Sequence, residues 1–232
     1  GIATSLMSYI FKENQIATEE TLCVIEFKNN ISINIRAAHD LLRPSHFFLY
    51  LKQENYKSLK QMVDFYIDRN RNTKSWEKCP KGRGKYRFLL ERVTQDFSAV
   101  SANFEDEYIF CWLDWDGDNI LMDGGIIDYG SIRKFGIMHH EYKYDDVERF
   151  STSLLEQKGK AKYMVQTFAQ IVDYLETKEK KGIQEFNEHE CLEKFDKDAD
   201  YLNSQIKDEI FLSADTMLDY RRKYTYNMFD KM

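Results

Sequence analysis

The hydrophobic period of this chain changes at Pro44, and the change constrains its fold more than any other feature; a loop and short strand are expected again from Asp114 to Gly130. From Thr21 to Ala37 apolar residues alternate with polar ones. Cys23, Ile25 and Phe27 fall on one run, and Ile31, Ile33 and Ile35 on the next, with Lys28-Asn29-Asn30 between them. A period of two on either side of a polar turn predicts a β-hairpin. After Pro44 the spacing becomes three to four, the period of an amphipathic helix. Leu59, Met62, Val63 and Tyr66 mark one such face. Beyond a polar stretch from Arg69 to Gly84, the residues Tyr86, Leu89, Leu90, Val93, Phe97, Val100 and Phe104 mark a longer one. Met164, Phe168, Ile171 and Leu175 continue the pattern, and charged amphipathic helices are expected over about 183–212 and 215–232. A further helix carrying Val147, Phe150 and Leu154 is expected after Asp145-Asp146. A small β portion therefore precedes a larger helical one, which predicts an α+β, two-lobed body. The boundary is expected at Pro44, with residues 1–44 in a small lobe and 45–232 in a helical one.

Composition narrows the class. The 232 residues are 43% hydrophobic and 15% aromatic, enough for a sizeable core. The net charge of -6 argues against nucleic acid as a partner. No apolar run reaches the length of a membrane span and no basic-then-apolar leader opens the chain, so no membrane partner is expected. Cys23, Cys79, Cys111 and Cys191 are widely spaced, which fits a reducing compartment; a bacterial cytoplasm is the expected location. The five histidines form no metal-ligand spacing, and His139-His140 reads as an exposed pair.

Chemistry concentrates in one interval. Between Arg92 and Arg133 there is no Lys or Arg, while nine acids occur: Asp96, Glu105, Asp106, Glu107, Asp114, Asp116, Asp118, Asp123 and Asp128. Clustered carboxylates without counter-charge repel one another, and a bound cation would relieve that repulsion. A solvated Asp-Gly turn is the plain alternative. Apolar runs on both sides, Phe110-Cys111-Trp112-Leu113 and Ile126-Ile127, draw the loop towards the core. A calcium loop starting at Asp114 fails, because its sixth position is Asn119 and its twelfth Gly125. Magnesium with a nucleotide fits better, since Mg²⁺ takes one or two protein oxygens and the rest from phosphate and water. Asn119 and Asp128 offer those oxygens, and Asp118 is left to act as a base. Asp128-Tyr129-Gly130 parallels the metal-binding D-F-G element of kinases, but the kinase H-R-D catalytic loop is absent.

These residues carry a family resemblance. Gly117-Asp118-Asn119, followed nine residues later by Asp128-Tyr129-Gly130, resembles the selenoprotein O family, where T-D-N and I-D-Y-G stand at the same separation. A second segment, Ile35-Arg36-Ala37-Ala38-His39-Asp40-Leu41-Leu42-Arg43, resembles that family's T-R-x-A-x-S-H-I-R stretch. The resemblance runs from near Gly1 to about Gln170. It departs at Asp116-Gly117, where the family has Asn-Thr, and over Ser131 to Tyr144. It implies an atypical protein-kinase-like fold and transfer of AMP from Mg-ATP to Ser, Thr or Tyr hydroxyls of protein substrates, with Mn²⁺ as an alternative metal. It further implies that Asp118 accepts the proton, Asn119 and Asp128 hold the metal, and Arg36 and Arg43 contact the nucleotide phosphates. Guanidinium forks suit phosphate oxygens. The family's Gly-rich loop, ATP-contacting Lys and its paired Glu would precede Gly1, so the chain is expected to be the end of a small lobe plus a large one. A non-catalytic, pseudokinase-type binding module is the rival expectation, and a γ-phosphoryl-transferring kinase a further one.

Overall fold

The period-two segment folds as the hairpin its pattern predicts. In the computed structural model, which describes residues 1–13, 16–73, 76, 78–106, 109–111, 117–127, 129, 132–134 and 154–202, strand β1 (Glu20–Glu26) pairs antiparallel with β2 (Ser32–Ala37). Cys23 faces Ile35 and Ile25 faces Ile33 across the ladder. The turn is a short 3₁₀ segment, Lys28–Asn30, in which Asn29 takes a left-handed φ of 69°. Asn tolerates that region better than most residues. The apolar face of the hairpin is exposed, with Ile25, Ile33 and Ile35 at 41%, 53% and 46%. None of the described elements covers it.

A helix that the sequence reading did not anticipate precedes the hairpin. Helix α1 (Ile2–Glu13) packs on β1 and buries Ser8 and Phe11. Ser8 Oγ donates to the Glu19 carbonyl at 2.6 Å, and the Phe11 ring meets Phe104 and Tyr129 at 6.4 and 5.9 Å.

After Pro44 the chain is helical. Pro44 opens α2 (Pro44–Lys52), a position where its missing N–H costs nothing. Arg43 before it is extended, as a residue preceding proline should be, and its N–H donates to His46 Nδ1 at 3.2 Å. Asn55 caps α3 (Tyr56–Asn72) by accepting from the Ser58 N–H at 3.1 Å. Leu59, Val63, Tyr66 and Ile67 form its buried face, with Met62 at the margin. Helix α3 continues to Asn72, past the start of the polar stretch expected at Arg69. Gly82 turns with a φ of 74°, and α4 (Gly84–Asp106) follows. All seven apolar positions expected on α4, from Tyr86 to Phe104, are buried.

A second two-stranded pairing joins β3 (Ile109–Cys111) to β4 (Ile132–Lys134) and flanks the acidic interval. Helix α5 (Leu154–Thr177) packs along α4 and buries Met164, Phe168, Ile171 and Leu175. A 3₁₀ turn (Ile183–Phe186) leads to a helix over residues 190–202, α6, where one long helix from 183 was expected. The core is aromatic at its centre: Phe47 meets Tyr66 and Phe168 edge-on at 5.9 and 5.8 Å. The architecture is α+β and mostly helical. The helix expected near Val147 and Phe150, the His139-His140 pair and everything beyond residue 202 lie outside the described residues. Among the described residues no helix is long and apolar enough to cross a membrane.

One glycine fixes where the acidic interval meets this core. Gly124 has a φ of 83°, and a Cβ there would lie 2.4 Å from Val100 Cγ2 on α4. A side chain would meet both an unfavourable backbone conformation and a stiff β-branched neighbour. Gly124→Ala is expected to lower stability by about 2–4 kcal/mol. The measurement is a urea unfolding curve whose midpoint falls with unchanged slope. Combined with Val100→Ala, the loss should be smaller than the sum of the two single losses; strict additivity would refute the packing argument.

Candidate nucleotide and metal site

The acidic interval is held by its apolar residues. Ile120, Leu121, Met122 and Ile126 are all buried, and Ile127 is half-buried. Residues 119–127 fold back on themselves: the Ile127 N–H donates to the Asn119 carbonyl at 3.2 Å and the Leu121 N–H to the Gly125 carbonyl at 2.7 Å. Ile120 and Ile126 thereby form an antiparallel bridge. Two backbone bonds fasten this segment to the start of α2 and to the connector before it. The Ser45 N–H donates to the Gly117 carbonyl at 3.3 Å, and the Met122 N–H to the Leu42 carbonyl at 3.0 Å. Gly117, with a φ of 93°, sits where a Cβ would lie 2.9 Å from Pro44 Cβ.

This packing sorts the carboxylates. Asp118 is exposed on the turn after Gly117, and Asn119 beside it is half-buried. Asp123 is exposed and its Oδ1 accepts from the Gly125 N–H at 3.0 Å, the ordinary work of a turn aspartate. Asp96, on α4 beneath the loop, is part-buried with Arg92 Nη2 3.2 Å from its carboxyl. Burial pushes Asp96 up to about 7 against the pull of Arg92, with the Asp123 charge adding to the rise. Asp128 lies outside the described residues, as do Asp114, Asp116 and the Trp112-Leu113 pair. Among the described residues no three His, Cys, Asp or Glu side chains converge as a metal site.

Of the two expected metal ligands, Asn119 alone lies among the described residues. Asn119 supplies a neutral amide oxygen, for which no hydrogen bond is formed within the described residues.

Arg36, expected on phosphate, reaches the same loop. Its Nη1 pairs with Glu19 Oε1 and donates to the Ile127 carbonyl at 3.2 Å. Glu19 is 2% exposed, and burial pushes its carboxyl above the usual range while the Arg36 and Arg43 charges hold it down. Both expected phosphate-binding arginines thus act on one buried acid. Glu19 was not singled out in the sequence, because nothing in its neighbours Thr18 and Glu20 announces burial. Thr18 adds a second tie: its hydroxyl lies 2.6 Å from Tyr129 Oη and 3.4 Å from the Ile126 carbonyl.

Two cavities lie away from the loop. One of about 470 Å³ is lined by Phe48, Tyr163, Lys180 and Lys181; another of about 590 Å³ by Arg87, Glu176, His189 and Cys191. Burial pushes the Cys191 thiol up to about 12, which removes it as a nucleophile near neutral pH. Neither cavity includes Asp118, Asn119, Arg36 or Arg43. In comparisons with known proteins, neither a family model nor a curated protein matches the chain.

The raised Asp96 makes stability depend on pH. Its folded value of about 7 exceeds the unfolded 3.8, so its favourable contribution is complete below about pH 4 and is lost as pH rises through about 7. The magnitude is on the order of 4 kcal/mol at most. Thermal midpoints of the native chain should fall between about pH 5 and 8, and Asp96→Asn should flatten that fall and raise the midpoint at the alkaline end. Equal pH slopes in both proteins would exclude this role for Asp96.

Proposed function

We propose that the chain carries the metal- and nucleotide-binding part of a protein adenylyltransferase with a kinase-like, two-lobed arrangement. The observation that carries this reading is the anchored loop over 117–127. Buried isoleucine, leucine and methionine side chains hold it, while exposed Asp118 and half-buried Asn119 stand side by side on its turn. Fixed polar groups beside a rigid backbone suit a reaction that depends on positioning and electrostatics. The order hairpin, connector and helical body is also the one expected for the end of a small lobe followed by a large one, while helix α1 before the hairpin was not part of that expectation.

In this reading Asn119 and Asp128 hold magnesium, and Arg43 stands near the phosphates. The ion, when bound, neutralises phosphate charge. Asp118 orients a Ser, Thr or Tyr hydroxyl of a protein substrate and takes its proton. The hydroxyl oxygen bonds to the α-phosphorus, the bond from that phosphorus to the bridging oxygen breaks, and pyrophosphate leaves. Attack at the γ-phosphorus would instead make a kinase, and the resemblance to the selenoprotein O family favours the α-position. One observation favours a rival binding module without turnover: Arg36 is already engaged by Glu19 and the Ile127 carbonyl. A cytoplasmic setting, where ATP and reduced thiols abound, accompanies the proposal.

The test incubates the protein with ATP labelled at the α or at the γ position, with and without Mg²⁺. Label is expected on protein from α-labelled ATP only, and only with Mg²⁺. Asp118→Ala should lower the rate by about a hundredfold or more, and Asn119→Ala should raise the Mg²⁺ concentration needed for half-maximal rate. Label arriving from the γ position alone, or full activity of Asp118→Ala, would defeat the proposal. Stabilisation by ATP without any transfer would favour the binding module.

A further inference from the structure

We propose that the cavity between α2, α5 and the turn that follows α5 binds a small organic anion with a flat apolar body, of the aryl phosphate or aryl carboxylate class. Neither Asp118 nor Asn119 lines it, so it is independent of the metal and nucleotide reading. Its volume of about 470 Å³ is that of ordinary small-molecule sites. Phe48, Leu51 and Lys52 reach it from one face of α2, spaced three and four apart. Met164, Thr167 and Gln170 reach it from α5 at the same spacing. Lys178, at a left-handed φ of 66°, ends α5 and turns the chain back. Lys180 and Lys181 thereby come to line the cavity. The turn is pinned from below. Gln170 Nε2 donates to the Lys181 carbonyl at 2.6 Å, and Gln166 Nε2 to the Ile183 carbonyl at 2.9 Å. Both glutamines are buried, and a buried amide must be bonded, so these ties hold the lysine backbone against the cavity.

Charge decides the class of ligand. The lining holds three lysines and, among the described residues, no Asp or Glu, in a chain whose net charge is -6. Lys180 pairs with Glu54 at 3.2 Å and Lys181 with Asp173 at 2.8 Å, but both carboxylates stand outside the lining. The Glu54 side chain is 67% exposed, so its pair is weak and easily exchanged for a ligand anion. Lys52 forms no ion pair among the described residues. An ammonium is a point charge that suits phosphate or carboxylate oxygens. The remainder of the lining is apolar. Leu51 and Met164 are buried, and the rings of Phe48 and Tyr163 join them. A bare hydrated ion would use the lysines and leave these surfaces wet, whereas an aromatic body covers them.

The experiment titrates the full chain with phenyl phosphate, benzoate, inorganic phosphate and benzyl alcohol, following ligand relaxation by NMR. Phenyl phosphate or benzoate is expected to bind once per chain with a Kd on the order of 1 mM or tighter, and more weakly as salt is raised. A preference between the two assigns the anion, and either supports the site. Inorganic phosphate and benzyl alcohol each carry half of the recognised chemistry and should bind about tenfold more weakly or worse. Lys52→Gln should weaken the aryl anion by about fivefold, and Tyr163→Ala by about threefold. Lys28→Gln, the same charge change in the hairpin turn, should leave it unaltered. Lys52 and Tyr163 are exposed, so neither substitution threatens the fold. Failure of both aryl anions to bind by about 10 mM would overturn the proposal. So would equally tight binding of inorganic phosphate or benzyl alcohol, or a loss in Lys28→Gln equal to that in Lys52→Gln.

Discussion

Burial of Ile120, Leu121, Met122 and Ile126 dictates where the neighbouring polar groups can go. Each of these side chains removes apolar area from water, worth about 1.5–3 kcal/mol apiece when complete. Their joint burial fixes a fold-back too tight for the carboxylates to rearrange freely. Asp118 is left on the outer turn, Asp123 spends an oxygen on the Gly125 N–H, and Asn119 sits between the buried and exposed sides. The loop is acidic at its rim because its interior is apolar, and a cation is not required to hold its backbone.

The same loop joins the hairpin to the helices. Its Met122 N–H holds the Leu42 carbonyl in the connector between β2 and α2, and its Ile127 carbonyl is held by Arg36 at the end of β2. The connector is pinned from the other side as well. Asp40, 8% exposed, accepts from Asn70 Nδ2 at 3.0 Å and pairs with Arg69, whose Nη2 donates to the His39 carbonyl at 3.0 Å. A buried acid with two partners on α3 leaves this segment little freedom to hinge. The described part of the acidic loop is therefore held in place by the fold itself.

What could be read from the sequence follows the range of the interactions. The hairpin, α3 and α4 are set by local periodicity, and their apolar positions are where the pattern puts them. Helix α1 differs from these: Ile2, Leu6, Tyr9 and Ile10 recur at helical spacing, yet that apolar face is exposed while Ser8 and Phe11 on other sides are buried, so the periodicity is there but does not mark the packed side. The pegs of the acidic loop were legible as apolar runs beside Asp-Gly turns. Glu19 was not, since its burial depends on Arg36, 17 residues on, and on a loop more than a hundred residues away that ties to Thr18. Nor could spacing reveal that Arg36 is committed to a carbonyl. The two arginines of the expected phosphate pair look equivalent in sequence, yet among the described residues it is the Arg36 guanidinium that pairs with a buried acid and holds a loop carbonyl.

That difference bears on how charge is arranged around the turn. Arg43 precedes α2 with its backbone engaged by His46, and its charge acts on Glu19 only at a distance. Arg36 is paired at short range with Glu19, whereas among the described residues no ion pair of the Arg43 guanidinium is formed. Among the described residues the guanidinium of Arg36 is thus part of what holds the loop, through the Ile127 carbonyl, whereas Arg43 contributes through its backbone at the start of α2.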